Sequence, residues 1–289
     1  MGATTTTTVT ELVAAIIGEA RMWMADTSLF YPKTGIATQF LQFKDLRNVQ
    51  GKAATFPKLG SIAFGDSTEG EDYTTTSALD TSAVTVTAAR KKVIVPVTDE
   101  AEYSSEQDLI ALAGRAIGIA AAEKFDNDVF ALFSSLGAGT SYNASGSPVT
   151  AAEFQAFITA LRTAKAPGPY AAVFHPWGWY EFLTESSSPI INAAASDEVA
   201  KGVWRDYYQA SPFGVRCFTH ADIDKANADA DYLGAFLSPY AIGCVWKRDL
   251  AIETERDASA SWTEYVATMD YGLGVIDSTM GIQLLQDAD

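Results

Sequence analysis

The chain has 289 residues, with 36 acidic against 20 basic side chains and a net charge of −16. Hydrophobic residues make up 48% and charged residues 19%, a globular mix that rules out wholesale disorder. The length suits one large domain or two modest ones, and no window approaches the roughly 18 uncharged apolar residues of a membrane span. The negative balance argues against a nucleic-acid reader and against adhesion to anionic membranes. Cys217 and Cys244 are too few for a disulfide framework and are expected reduced and buried. Two histidines, His175 and His220, leave little for a His-rich metal site or a conventional triad.

Residues 1–47 read as an N-terminal arm. Thr4 to Thr8 is a Thr-rich stretch, and Thr10 caps a short helix whose stripe includes Leu12, Ile16 and Trp23. Met1 to Ala20 has no basic n-region, and Glu11 interrupts its apolar stretch, so a signal peptide is not expected.

Residues 48–99 read as an extended hairpin. Lys52 to Phe56 is one arm; Val84, Val86 and Ala88 alternate with Thr85 and Thr87 in the other, which Val93-Ile94-Val95 continues. Between them Ser61 to Ala89 holds no Lys or Arg, while Glu69, Glu71 and Asp72 cluster near the tip. Such a polar loop has little apolar area to bury against the entropy of ordering. It is either a solvated hairpin or an arm laid across a neighbouring subunit. Arg90, Lys91 and Lys92 then reverse the charge abruptly.

Residues 100–148 hold a long helix, predicted over Ser105 to Leu136. Ser104 and Gln107 resemble a capping box, and Leu109, Leu112, Ala113, Ala116, Ile117 and Ala120 recur with helical period. Gly137 and Gly139 stop it. At about 1.5 Å per residue the helix would be a strut on the order of 48 Å long. Gly114 and Gly118 read as a notch where another backbone approaches.

Residues 149–237 begin with a second capping box, Thr150 to Glu153, leading a helix that buries Phe154, Phe157, Ile158 and Leu161. Ala171 to Phe174 is a buried strand, Pro176 opens a helix carrying Trp177, Tyr180 and Phe182, and Asp197 to Gln209 is a further helix. Strands follow at Gly214–Phe218 and Tyr232–Leu237. In residues 238–289 they continue at Ala241–Trp246, Leu250–Glu255, Tyr265–Met269 and Gly281–Leu285. Helices and strands in separate runs make the fold class α+β.

Chemistry is sparse. There is no G-x-S-x-G, no Walker loop and no G-x-G-x-x-G. Asp222, Asp224, Asp229 and Asp231 are the best metal candidates, since clustered carboxylates suit Ca²⁺. They lack the EF-hand glycine and closing Glu and read as a solvated acidic loop. His175 and Pro176 read as structural. No catalytic residue and no cofactor is expected.

The order of parts resembles the major capsid proteins of tailed bacteriophages with the Hong-Kong-97-type fold. Phe56-Pro57-Lys58-Leu59-Gly60 and Thr68-Glu69-Gly70 look like the extended E-loop of that family. Leu79-Asp80-Thr81-Ser82 and Lys91 to Glu100 look like its return into the spine helix. Ser238-Pro239-Tyr240-Ala241 and Asp270 to Val275 look like the C-terminal peripheral segments. The resemblance implies a peripheral domain of E-loop, spine helix and C-terminal strands, with an axial domain over 149–237. It implies pentamers and hexamers of the chain forming an icosahedral head shell around double-stranded DNA. Charge −16 fits a shell that does not grip phosphates. The implied partners are other copies of the chain, a separate scaffolding protein, a portal protein and an optional cement protein. The implied location is the virion, after assembly in the host bacterial cytoplasm. Candidate interface residues are Glu69, Glu71 and Asp72 facing Lys247, Arg248 and Arg256, together with Arg90, Lys91, Lys92, Gly114 and Gly118.

Some relatives remove a long N-terminal scaffolding segment; none is expected here. Others cross-link an E-loop Lys to an Asn of a neighbour, but Asn227 is the last asparagine and precedes the terminal strands. A non-covalent shell is therefore expected. Two rival readings are an encapsulin-like nanocompartment, which has the same fold around protein cargo, and a soluble enzyme with an unfamiliar site.

Overall fold

The computed structural model describes residues 35–59, 64, 66, 69–70, 81–104, 109–137, 141–142, 149–184, 214–226 and 231–287. The arm helix after Thr10, the Asp197–Gln209 helix, and Glu71, Asp72, Gln107 and Asp229 lie outside the described residues.

Strands β2 (Ala53–Leu59) and β3 (Thr81–Thr87) pair antiparallel from Ala53 opposite Thr87 to Leu59 opposite Thr81, as the alternation predicts. Ala54, Phe56 and Val86 turn inward onto Val245, while Thr55 and Thr85 face solvent and share a 3.2 Å hydroxyl contact. The next strand, β4 (Ala89–Thr98), does not extend this ribbon. It crosses to a four-stranded sheet of order β1-β10-β11-β4, with β1 (Gln42–Asp45), β10 (Ile242–Asp257) and β11 (Trp262–Val275). The first arm starts only at Ala53 and offers β4 no partner; β11 does, placing Asp270 directly opposite Arg90.

The two strands read at Ala241–Trp246 and Leu250–Glu255 are one. β10 stays paired to β11 through register shifts between Trp246 and Ala251, where Lys247, Arg248 and Asp249 break the apolar pattern.

The α-helix of the strut ends earlier than its periodicity suggested. After α1 (Asp99–Ser104), α2 spans Leu109–Phe130, about 33 Å. A 3₁₀ turn over Ala131–Ser135 follows. Phe130, Phe133 and Leu136 are all fully buried, and their spacing of three matches three residues per turn better than 3.6. Gly137, at φ 72°, ends the run where a side chain would be strained. The buried face follows the predicted stripe only in part: Ile117 and Val129 are buried as expected, but Leu112, Ala116 and Ala120 are exposed, and Gly114, Gly118, Ala121 and Phe125 are buried beside Ile117.

The other sheet has six strands. Its main path is β5-β12-β9-β6-β7, and β8 is added on β9. These are β5 (Ser141–Tyr142), β6 (Ala171–Phe174), β7 (Arg216–Thr219), β8 (Lys225–Ala226), β9 (Asp231–Leu237) and β12 (Gly281–Asp287). All four residues of β6 are buried because the sheet divides two cores. Ala171, Val173, Ala235 and Leu237 face the core shared with α2; Ala172, Phe174, Phe236 and Leu284 face the other. That second core is closed by α3 (Ala151–Thr163) and α4 (Pro176–Thr184). The Thr150–Glu153 capping box forms with both reciprocal bonds. Phe154, Phe174 and Phe182 stack with centroids 5.4–6.5 Å apart. Trp177 and Tyr180 of α4 remain exposed.

Candidate functional site

The hairpin base is anchored on the body. Lys44 Nζ donates to the Thr55 carbonyl at 2.5 Å and lies 4.6 Å from the Phe56 ring centre. Lys58 Nζ is 2.5 Å from Asp277 Oδ2. Asp277 is buried and also accepts from Thr279 N–H at 3.0 Å and its hydroxyl at 2.7 Å. Burial raises its pKa, but the Lys58 and Thr279 bonds outweigh that and hold the carboxyl below the ordinary range. Beyond the base the described tip residues are bare: Asp66 and Glu69 are exposed, and Phe64 is 102% exposed.

The basic run lies on the body. Arg90 binds Asp270 through Nε at 3.0 Å and Nη2 at 3.2 Å. The Arg90 hydrogen bond dominates in lowering the Asp270 pKa. Lys91 (3.1 Å) and Lys124 (2.7 Å) converge on Asp128, which also accepts from Tyr271 Oη at 2.7 Å. That carboxylate ties α2 to β4 and β11. Lys92 is exposed and has no ion pair among the described residues. Arg90, Lys91, Lys92 and Lys124 edge a groove of 410 Å³ whose apolar lining includes Ile117, Leu250 and Met269.

The basic residues expected to meet the acidic tip have partners in their own chain. Lys247 Nζ donates to the carbonyls of Leu46, at 2.9 Å, and Val49. Arg248 lies 3.4 Å from Glu253, and Arg256 grips Asp99 at 2.5 and 2.7 Å. Gly114 and Gly118 are buried on the packed face of α2.

The described aspartates of the acidic stretch, Asp222, Asp224 and Asp231, do not gather into a cation site. Asp231 is buried at the start of β9, and Asp222 turns its N–H to His220 Nδ1 at 3.1 Å. Asp224 gives its carbonyl to Leu233 N–H at 2.8 Å. Strand pairing separates the three; among the described residues no group of three or more His, Cys, Asp or Glu is placed to hold a metal. Asp231 is thus a correction to the solvated-loop reading. His175 stacks on Tyr232 with centroids 3.5 Å apart, a structural role. Both cysteines are free and buried, and burial raises the Cys244 thiol to about 12.

Sequence reasoning missed Asp126 and Asp128, each a carboxylate inside the apolar half of α2. That placement is itself the signal, since a buried acid needs donors. Asp126 is fully buried and accepts N–H bonds from Gly35 (2.7 Å), Ile36 (3.0 Å) and Ala37 (3.2 Å). These bonds fix Gly35, Ile36 and Ala37 against α2.

No curated protein sequence matches the chain. The family model described as phage capsid protein matches residues 81–283, well over half of it. Solved structures share the fold at low identity. A chain from Mycobacterium phage Che8 is 18% identical with TM-score 0.70, covering 86% of this chain and 89% of that one. The capsid of cyanophage P-SCSP1u is 18% identical with TM-score 0.65, covering 89% of each chain. A virus-like particle from Pyrococcus furiosus is 12% identical with TM-score 0.56, covering 95% of this chain and 98% of that one. The hairpin, strut and two-core body are thus those of a shell subunit, and the chain belongs to the phage capsid protein family as a major capsid protein of the Hong-Kong-97-type fold, a component of the virion head shell.

Proposed function

We propose that the acidic hairpin tip of one copy lies across the next and meets the basic edge formed by Arg90, Lys91 and Lys92, with Lys124 beside them. The observation that carries this is the charge separation within one chain. Ser61 to Ala89 has no basic residue, and the basic run follows at once on the body. Arg90, Lys91 and Lys124, like Lys247, Arg248 and Arg256, already have partners in their own chain, so Lys92 is the cation that the tip engages directly. Phe64 supplies an apolar anchor for the groove floor. Each exposed pair is worth about 0–1 kcal/mol, yet repetition around a closed shell makes the sum decisive.

The wider reading follows from the family. The four-stranded sheet, α2 and the hairpin form the peripheral domain; the six-stranded sheet with α3 and α4 forms the axial domain, which meets its copies in pentamers and hexamers. A separate scaffolding protein, a portal and an optional cement protein complete the head, assembled in the bacterial cytoplasm. The subunit has no enzymatic role and encloses DNA without reading its sequence. Replacing Glu69, Glu71 and Asp72 with Ala tests the contact. Particle yield should fall while subunit melting stays put, and Lys92→Glu should act alike. Unchanged yield in both variants would refute the contact.

A further inference from the structure

Three glycines lie where the hairpin rests on the body. Gly243 and Gly274 sit directly opposite each other in β10 and β11, and Gly272 pairs with Val245 two residues along. None has a positive φ, so what they supply is space. A Cβ built at Gly243 would lie 2.9 Å from Cζ of Phe56 and 2.8 Å from Cδ1 of Ile276. One at Gly274 would lie 2.8 Å from Val86 Cγ2, and one at Gly272 would lie 2.7 Å from the Thr87 carbonyl carbon and 3.0 Å from Ala88 Cα. Phe56 and Val86 are buried in the hollow these glycines leave.

An isolated two-stranded ribbon is marginal in water, so β2–β3 depends on this seat for its order. The seat also fixes direction. Gly272 faces backbone at the junction of β3 and β4, where any side chain must tilt the ribbon. Gly274 faces only a side chain, where an intrusion can be offset by trimming Val86. Lys58 on Asp277 and Lys44 Nζ on the Thr55 carbonyl, at 2.5 Å, hold the ribbon to the body at two further points.

We propose that Gly243, Gly272 and Gly274 are positioning residues that set the direction in which the hairpin leaves the body, so that its reach toward a neighbouring copy is built into the subunit before contact. This rests on the reading that the tip lies across a neighbour. Small errors in this angle repeat at every copy and oppose closure of the shell.

The test compares the full-length parent with Gly274→Ala, Val86→Ala, Gly274→Ala/Val86→Ala and Gly272→Ala. Closed particles are counted by sedimentation and electron microscopy, and melting and amide hydrogen exchange are followed on the unassembled chain. Gly274→Ala should lower closed-particle yield about tenfold, the scale of a moderately overpacked contact. Val86→Ala in the same chain should restore yield, and Gly272→Ala should have no such rescue. Amides of 53–59 and 81–87 should be protected in the unassembled parent. Parental yield in both glycine variants, failure of the double variant to regain yield when its melting is normal, or unprotected hairpin amides in the parent would each overturn the proposal. If the variant with alanines at 69, 71 and 72 assembles normally while the glycine variants do not, the tip contact fails and the seat stands.

Discussion

Lys58 Nζ and Asp277 Oδ2 lie 2.5 Å apart, joining the exposed hairpin to a carboxylate buried beside the last strand. Lys58 is nearly half exposed, which screens the pair; Asp277 is not, and loses a donor if Lys58 is removed. Lys58→Met should therefore destabilise the chain by about 1–2 kcal/mol at neutral pH. The folded pKa of Asp277 is depressed, so its contribution is present above the unfolded carboxyl pKa and disappears as pH falls through the folded value. Denaturant unfolding of variant and parent should differ at pH 7, and the difference should narrow once pH falls below the unfolded carboxyl pKa. A gap that keeps its size would place the effect elsewhere.

The same contact bears on covalent cross-linking. Lys52 and Lys58 are the lysines of the hairpin's first arm, and Lys58 is held against Asp277 of its own chain. The amides near the C-terminus belong to Gln283 and Gln286, and Gln286 is fully buried with its Oε1 accepting His175 N–H at 2.9 Å. An amide is a poor electrophile and reacts only when closely positioned. Mature particles boiled in denaturant and reductant should give a single band near 30.9 kDa. A ladder of covalent oligomers would contradict this.

Gly118 lies on the buried face of α2 beside Ile117 and Ala121. Two effects of Gly118→Leu compete. Helix propensity favours the change by about 1 kcal/mol, whereas overpacking a filled face costs about 1–3 kcal/mol. Burial decides the sign: thermal or denaturant unfolding should show net destabilisation, and a raised melting temperature would mean the face is not packed.

The local grammar was legible in the sequence. The Thr150–Glu153 box, Pro176 at a helix start and the Thr/Val alternation of Thr81 to Thr87 each appear where expected, because each depends on neighbours a few residues away. What lay further off was not legible. A period of three and a period of 3.6 are hard to tell apart over Phe130, Phe133 and Leu136, so the helix was read past its end. The stripe through Leu112 and Ala116 looked apolar enough to be buried, but the partner elements chose the glycine side. Lys247, Arg248 and Arg256 looked free because their acceptors, Leu46, Val49 and Asp99, are distant in sequence or, like Glu253, unremarkable within it.

Asp126 is the group whose ionisation should be felt most. Burial pushes its pKa up to about 6, although the N–H bonds from Ala37, Ile36 and Gly35 pull the other way and Asp222 adds repulsion. His220, whose Nε2 is 3.7 Å from Asp126 Oδ2, is driven down by burial and partly restored by Asp222. The signs oppose. Between the unfolded carboxyl pKa and about 6, folded Asp126 holds a proton that the unfolded chain has released, so its contribution to stability falls as pH rises. Buried neutral His220 does the reverse, contributing stability that is lost as pH falls below its unfolded value. In the parent the two slopes partly cancel. Asp126→Asn removes one of them, so the variant's stability should climb more steeply from pH 4 to pH 6.5. The variant-minus-parent difference should change by roughly 3 kcal/mol across that range. Denaturant unfolding of the unassembled chain at half-unit pH steps measures it. A flat difference would mean that the carboxylate keeps its ordinary pKa despite its burial.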